Sequence, residues 1–465
     1  MKELILGNPV ILIFLIALGI LYTFLIFHFA GRVKNLSSNL ERIFLGIFII
    51  SIAGATGVNL SPFDKFNPNV LSLRNTTLPT IAGQIGIYLI CLFLLTSRLR
   101  YTLKNFINVL IELILKEPFL ILLFLIIGLS TFWSNDPNGT LKTSVVYLET
   151  AVIAIYLGKQ YSWKEIYPLW RWINIIVVIL SIYQAVKENQ VPWMGVLGHK
   201  NHFSFYMAQS AILWLMHSVY SPKQRYLSVV FSVLSLIALN QGGSGASKVL
   251  TVVLLGLWAY FGFLKKLPVK WAVVSVVLFM IVSVCLTIVV TNNLEFIVVD
   301  TLNKDMTLTG RTDFWPMIIA KINQRPFLGY GLGGFWQPWR GGDNPAGDII
   351  VAKTQFQPPH AHNGFLDLGL DLGWIGVSLF ALSFFNNVVK AVVYLGRNRL
   401  PESGLPLLLL TYTLMTNMTE TGLVGATSIW FWYVVTTVRL TLDTSGKIYS
   451  ESQRGMKPVS LQMRS

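Results

Sequence analysis

Apolar residues run along this chain in long blocks, not in the short alternations of a soluble helix or strand. The first block, Pro9 to Ala30, matches the length of a bilayer-spanning helix and exceeds the core of a signal peptide, with no small-residue cleavage site behind it. Further spanning segments centre near Ile47, Ile87, Leu123, Ala151, Val177, Ala211, Val233, Val253, Val277, Val377, Leu408 and Trp430, giving roughly 13 helices. Asn105 to Lys116 is different, because its apolar positions recur on one face, so it is expected to lie along the interface. Only helices and closed barrels satisfy the backbone in lipid, and blocks of this length are helical. The predicted fold class is all-α, a polytopic integral membrane protein of about 12–13 transmembrane helices.

Composition agrees with this pattern. Of 465 residues, 54% are hydrophobic and 12% charged, too much apolar surface for water alone to solvate. Cys91 and Cys285 both lie inside apolar stretches, where packing explains them better than a disulfide, a metal or a thiol nucleophile. Lys and Arg total 36 against 21 acidic residues, and the excess falls in short loops, which points to the cytoplasmic side of a membrane and away from nucleic acid. Alternating those loops predicts an outside N-terminus. It divides the chain into roughly ten membrane helices in residues 1–291, one large extracytoplasmic loop over 292–363, roughly three helices in 364–438 and a disordered cytoplasmic tail over 439–465.

The loop is an outlier. At about 70 residues it far exceeds an ordinary helix connection, and such loops are functional or disordered. Trp315, Tyr330, Trp336 and Trp339 argue for order, with packing the stronger expectation and sugar stacking the weaker. Basic and imidazole side chains gather on the same predicted side: His199, Lys200, His202, Lys248, Arg311, Arg325, Arg340, His360 and His362. Charge alone fits a solvated surface, but cations beside a bilayer also suit a phosphate or pyrophosphate head group.

Three local patterns sharpen that reading. Gly198-His199-Lys200-Asn201 packs donors into one turn before a helix beginning near Phe203, although Asn201 as a helix cap is an adequate alternative. Thr309-Gly310-Arg311 precedes an expected helix from Asp313 to Ile322, where a cation opposes the helix dipole and an anion would account for it. The glycines of Arg325-Pro326-Phe327-Leu328-Gly329-Tyr330-Gly331 lack the spacing and Lys of a nucleotide-binding loop. In the third pattern, His362-Asn363 precedes Gly369, Gly373 and Gly376, whose spacing lines one helix face for a close neighbour and leaves His362 at the helix mouth. Asp367, Asp371 and Glu420 are costly at such depths unless paired, and are expected to orient Arg311 or Lys248 or to form structural pairs. Neither His360-Ala361-His362 nor His199 with His202 is joined by a recognisable carboxylate or Cys ligand motif, so no metal is expected.

Together with Trp133-Ser134-Asn135-Asp136-Pro137, Ser247-Lys248 and Asn417-Met418-Thr419-Glu420, these motifs give the chain its family likeness. It resembles the O-antigen ligase and polymerase superfamily, most closely the exopolysaccharide-polymerase branch, and His362-Asn363-x9-Gly373-x-x-Gly376 is the strongest point of the likeness. The resemblance implies a GT-C-like fold in a bacterial plasma membrane with the active-site loops on the periplasmic face. It also implies a polyprenyl-diphosphate-linked glycan donor, an inverting reaction and no metal or other cofactor. By the family pattern His362 is the catalytic base and Arg311 holds the donor pyrophosphate. Lys248 stands where ligases carry Arg, which favours the exopolysaccharide branch, while Lys200 and His199 would join the diphosphate site, Asn363 is the candidate to orient His362, and Asn201 and Glu420 are supporting residues. Partners implied are membrane lipid and the pathway's flippase and chain-length regulator, with no nucleic acid. The nearest alternative is a ligase passing finished glycan to lipid A, another lipid or protein. A polysaccharide or lipid transporter is a more distant one, disfavoured because the polar residues concentrate outside.

Overall fold

A computed structural model of the chain describes residues 34–53, 99–292, 311–350, 357–398, 400–425 and 427–444. Among these the regular structure is helical, with no strand. The helices are α1 Lys34–Ile52, α2 Leu99–Lys116, α3 Pro118–Leu129, α4 Pro137–Gln160, α5 Trp163–Lys187, α6 Lys200–Tyr220, α7 Arg225–Gly242, α8 Gly245–Leu264, α9 Val269–Asn292, α10 Arg311–Gln324, α11 Gly364–Arg397, α12 Leu405–Asn417 and α13 Ser428–Thr444. The spans expected at Pro9 to Ala30 and around Ile87 lie outside the described residues.

The chain divides into two compact units. One, Met1–Ile49 with Thr76–Asn108, includes most of α1 and the start of α2; the other, Ile50–Asn75 with Val109–Ser465, includes everything discussed below. Five described helices are long and apolar enough to cross a membrane: α4, α5, α8, α11 and the part of α9 over Val269–Val289.

Local chemistry starts the helices where the sequence allows. Pro137 opens α4 behind Asp136, whose carboxylate accepts from the Gly139 amide at 3.1 Å. Glu165 folds back to accept from the Ser162 amide at 3.0 Å, closing the first turn of α5. Packing then sorts the helices by depth. Nearly every side chain of α12 and α13 is buried, which marks them as inner helices, whereas α9 leaves Trp271, Leu278, Ile281, Val282, Leu286 and Val289 open, a face that requires an apolar environment. Small hydroxyls join α6 and α7: Ser232 donates to the Ala211 carbonyl at 2.9 Å and Ser235 to Ser210 at 3.0 Å. Glu117, fully covered, pairs with Lys390 at 2.6 Å and ties the start of α3 to α11.

The last helix departs from the expected boundary. Arg439, expected to open a disordered tail, is buried and forks onto Asp443 at 3.1 and 2.6 Å, an i,i+4 pair that carries α13 on to Thr444. The rest of that tail lies outside the described residues.

The described part of the long connection is a folded element with its own apolar core. Phe314, Ile318 and Ile322 of α10 meet Tyr330, Phe335, Trp336, Ile349 and Ala361, and Leu370 of α11 joins them. Packing therefore accounts for Tyr330 and Trp336, and for Trp315 at the cluster's edge, while Trp339 stays exposed.

A break in α11 anchors this element, and it corrects the expectation of one glycine-lined helix face. Gly373 sits at φ 63°, ψ −171°, outside any helical region. The amides it frees find partners in the connection: Trp374 donates to the Pro326 carbonyl at 2.7 Å and Ile375 to that of Phe327 at 3.4 Å. In return, the amides of Tyr330 and Gly331 donate to the Leu370 and Asp371 carbonyls at 2.8 and 2.9 Å. A Cβ on Gly373 would lie 2.6 Å from the Leu328 nitrogen. Of the three glycines, Gly369 is the packing device, facing Ile322 of α10, and Gly376 meets only Leu372 of its own helix.

Candidate active site

Glu420 lies in the turn between α12 and α13, only 2% exposed. Asn417, the last residue of α12, shapes that turn: its side chain accepts from the Gly422 amide at 2.8 Å and donates to the Thr413 carbonyl at 2.7 Å. From α4, the Tyr147 hydroxyl donates to the Leu423 carbonyl at 2.8 Å. Gly364 lets the start of α11 approach the same place, since a Cβ there would lie 2.8 Å from the Asn417 side-chain carbon Cγ.

These constraints bring three distant segments together. Asn201, in the first turn of α6, donates to Glu420 Oε1 at 2.6 Å. The other oxygen, Oε2, faces His362 Nδ1 at 3.8 Å and His202 Nε2 at 4.0 Å. His362 Nδ1 is covered and makes no hydrogen bond, yet the side chain keeps 17% of its surface open. That arrangement turns Nδ1 toward a carboxyl and leaves Nε2 as the nitrogen able to accept a proton. His362 also holds φ 49°, rare for a residue with a side chain, stabilised by its amide donating to His360 Nδ1 at 3.1 Å.

The structure reassigns two expected roles. Asn363 is the N-cap of α11, accepting from the Phe365 and Leu366 amides at 3.0 and 3.2 Å, so its side chain holds the helix and does not orient His362. Asn201, whose alternative was capping, does not cap; His199 does, Nδ1 accepting from the Asn201 amide at 3.4 Å, and Asn201 is free to hold Glu420. Burial lowers the pKa of the His199 imidazole, Glu420 opposes that, and the nearby His202, His362 and Lys200 reinforce it.

Arg311 begins α10, as expected, and its side chain lies outside the described residues. One turn on, Trp315 donates to the Ala361 carbonyl at 3.0 Å, which sets the first turn of α10 beside the turn holding His362. Lys200 opens α6, and Lys248 stands exposed in the first turn of α8; neither makes an ion pair among the described residues. Asp367 and Asp371 make no ion pair with a cation among the described side chains, which do not include that of Arg311. Asp367 accepts from Trp336 Nε1 at 2.7 Å, from the Ala361 amide at 3.0 Å and from the Thr421 hydroxyl, and Asp371 accepts from the Gly333 amide at 2.9 Å. Two expected head-group cations are structural as well: Arg325 donates to Asn135 Oδ1 at 3.0 Å and Arg340 to the Asn135 carbonyl at 3.1 Å. Trp133 Nε1 adds a bond to the Leu328 carbonyl at 2.9 Å, so the Trp133-Ser134-Asn135 segment clamps the connection.

His202 and His360 were passed over as metal ligands for want of a carboxylate ligand motif, and the fold brings the Glu420 carboxyl beside them. His199, His202 and Glu420 form one triad with ligand atoms within 4.8 Å of each other, and His360, His362 and Glu420 form a second. The i,i+3 spacing of His199 and His202 was the legible signal. Glu420 was far away in sequence, and nothing local connected it to them.

Comparison with known proteins agrees with the motifs. Residues 227–381 match the model of a family described as O-antigen ligase, an interval holding Lys248, Arg311, His362 and Asn363 and ending before Glu420. The exopolysaccharide production protein ExoQ of Rhizobium meliloti (strain 1021) is 22% identical over 294 residues, covering 59% of this chain and 65% of that protein. The match thus spans just under two thirds of that relative's length. Both findings support the likeness to the O-antigen ligase and polymerase superfamily.

Proposed function

We propose, from that likeness and from the convergence on Glu420, that the chain is a membrane glycosyltransferase joining polyprenyl-diphosphate-linked oligosaccharide repeats into exopolysaccharide or O-antigen. The observation that carries this reading is the Asn201, Glu420, His362 series, a carboxyl held on one side and presented to an imidazole on the other. In the reaction an acceptor sugar hydroxyl loses its proton to His362 Nε2 while its oxygen attacks the anomeric carbon of the donor glycan. The bond from that carbon to the carrier oxygen breaks, and the polyprenyl diphosphate leaves with the electron pair, inverting the centre. Glu420 stabilises the imidazolium that forms, a carboxyl orienting a general base. Arg311, Lys248, Lys200 and His199 are the groups assigned to the diphosphate, where donors fixed in advance stabilise the developing charge. The setting is a bacterial inner membrane with these residues on the periplasmic side, alongside the flippase and chain-length regulator of the same pathway.

The test is His362→Ala in polymer-forming cells, with membrane abundance measured separately. Loss of polymer from an abundant variant is expected, and normal polymer length would remove His362 from the reaction. Arg311→Lys keeps the charge and loses the planar fork, so reduced turnover is expected. A second reading, a ligase that transfers finished glycan to another acceptor, is favoured by the description of the matching family. Products separate the two: an inactive polymerase leaves single repeats, whereas an inactive ligase leaves polymer on its carrier.

A further inference from the structure

Arg171 is a charged side chain that the proposed transfer does not use. It lies on α5, only 4% exposed, and its Nε and Nη1 are covered and make no hydrogen bond. Aromatic rings surround it: the guanidinium carbon stands 4.5 Å from the Trp214 ring centre, 5.7 Å from that of Tyr167 and 6.0 Å from that of Trp172. Ring faces attract the cation, but they do not accept an N–H as an oxygen does, and a guanidinium stays charged at any ordinary pH. A covered charge without an oxygen partner is costly, so the arrangement calls for an anion. Glu402, the covered carboxyl in the turn before α12, forms no ion pair with Arg171 among the described residues.

Position narrows the choice of anion. Trp214 lies about 20 Å along α6 from Asn201, so Arg171 stands at the end of the helices away from Glu420. Exposed cations gather at that end. Lys164 precedes Arg171 by two turns on the same face of α5, and Lys223 and Arg225 lie where α6 turns into α7, with Arg225 Nε donating to the Ser218 carbonyl at 3.2 Å. Trp172 is exposed and packs edge-on against Trp214 at 5.2 Å, so the guanidinium lies one ring beneath the outer face. Exposed Trp beside cations marks the boundary between lipid chains and head groups.

We propose that Arg171, with Lys164 and Arg225 at its rim, binds the phosphate head group of an anionic phospholipid in the leaflet opposite the Glu420 site. The phosphate oxygens accept from the guanidinium, and an acyl chain runs along Trp172, Ile176 and Ile179, the exposed apolar positions of α5 beside it. A soluble anion offers the same oxygens but nothing to cover that apolar face. This claim does not rest on the proposed function.

The experiment uses the full chain purified in detergent and stripped of lipid. Dioleoylphosphatidylglycerol, dioleoylphosphatidylcholine and sodium phosphate are added in separate arms, with bound lipid counted by native mass spectrometry and melting temperature followed alongside. Phosphatidylglycerol should bind and raise the melting temperature, while the zwitterionic lipid and sodium phosphate at the same concentration should not. Arg171→Met keeps the length of the side chain and removes its charge. Without lipid it should melt no lower than the unaltered protein, because an apolar side chain replaces a covered charge. Its affinity for phosphatidylglycerol should fall by about 10- to 100-fold, the loss of one charge-assisted hydrogen bond or two. Arg171→Lys keeps the charge and loses donors, so its affinity should lie between the two, and it decides the matter if Arg171→Met fails to fold. Equal binding of both lipids, or undiminished binding of phosphatidylglycerol by either variant, overturns the site. Equal stabilisation by sodium phosphate makes the ligand a soluble anion and overturns the lipid. A lipid-free Arg171→Met that folds but melts lower shows that the rings alone satisfy the guanidinium, and that too overturns the proposal.

Discussion

Replacing Glu420 with Gln tests the assignment most directly, because it removes a charge and keeps a shape. The Gln carbonyl can still accept from Asn201, which now bonds to Oε1 at 2.6 Å, so the turn between α12 and α13 should persist. What disappears is the carboxylate 3.8 Å from His362 Nδ1, where positive charge appears as the imidazole takes the acceptor's proton. At that separation, with an effective dielectric constant of about 20, the attraction is ~4 kcal/mol, equal to about three decades of rate. Solvent reaching the partly open His362 ring reduces this, so the expected fall in kcat is about 10²- to 10³-fold. KM should change little, since the charge matters only once the proton has moved. Glu420→Asp should recover part of the rate. The assay is single-turnover transfer from a purified lipid-linked donor, with melting temperature and membrane abundance measured alongside. A Gln variant with kcat within about threefold of the unaltered protein, or one whose loss follows a lowered melting temperature, would refute the assignment of Glu420.

The other expectations concern the scaffold. Gly373→Ala forces a side chain into φ 63° against the Leu328 nitrogen and should cost at least ~1–3 kcal/mol, seen as a lower melting temperature and faster tryptic cleavage after Arg340, which precedes Gly341 in the same connection. Unchanged cleavage would mean that the connection does not depend on the broken helix. Asn363→Ala should destabilise by ~1 kcal/mol through loss of the α11 cap, and Asn363→Asp should restore it; equal melting of all three would return Asn363 to a role beside His362. Lys390→Met leaves Glu117 charged and covered and should cost ~3–5 kcal/mol, whereas adding Glu117→Gln should recover most of it. A double variant no more stable than the single one would show that the pair is not coupled.

Long apolar blocks made the helical membrane class legible without any fold, because lipid leaves a chain of that composition no other way to satisfy its backbone. Local chemistry was equally legible where one turn contains all the partners: α10 was expected from Asp313 to Ile322 and runs over Arg311–Gln324, and His362 stands at the mouth of α11. Reading failed where a residue's partner lies far along the chain. Asn201 and Asn363 look alike as helix-start asparagines, yet one caps α11 and the other reaches Glu420, 219 residues away. Gly373 fits a glycine-lined helix face by spacing alone, and only the docking of Pro326 to Gly331 shows that it breaks the helix. The histidines had no carboxylate until α12 ended beside α11, an approach that depends on Gly364 meeting Asn417. Periodicity and caps are properties of neighbours in sequence, so the chain displays them directly. A site assembled from residues near 200, 362 and 420 depends on how helices pack, and it exists only once they have done so.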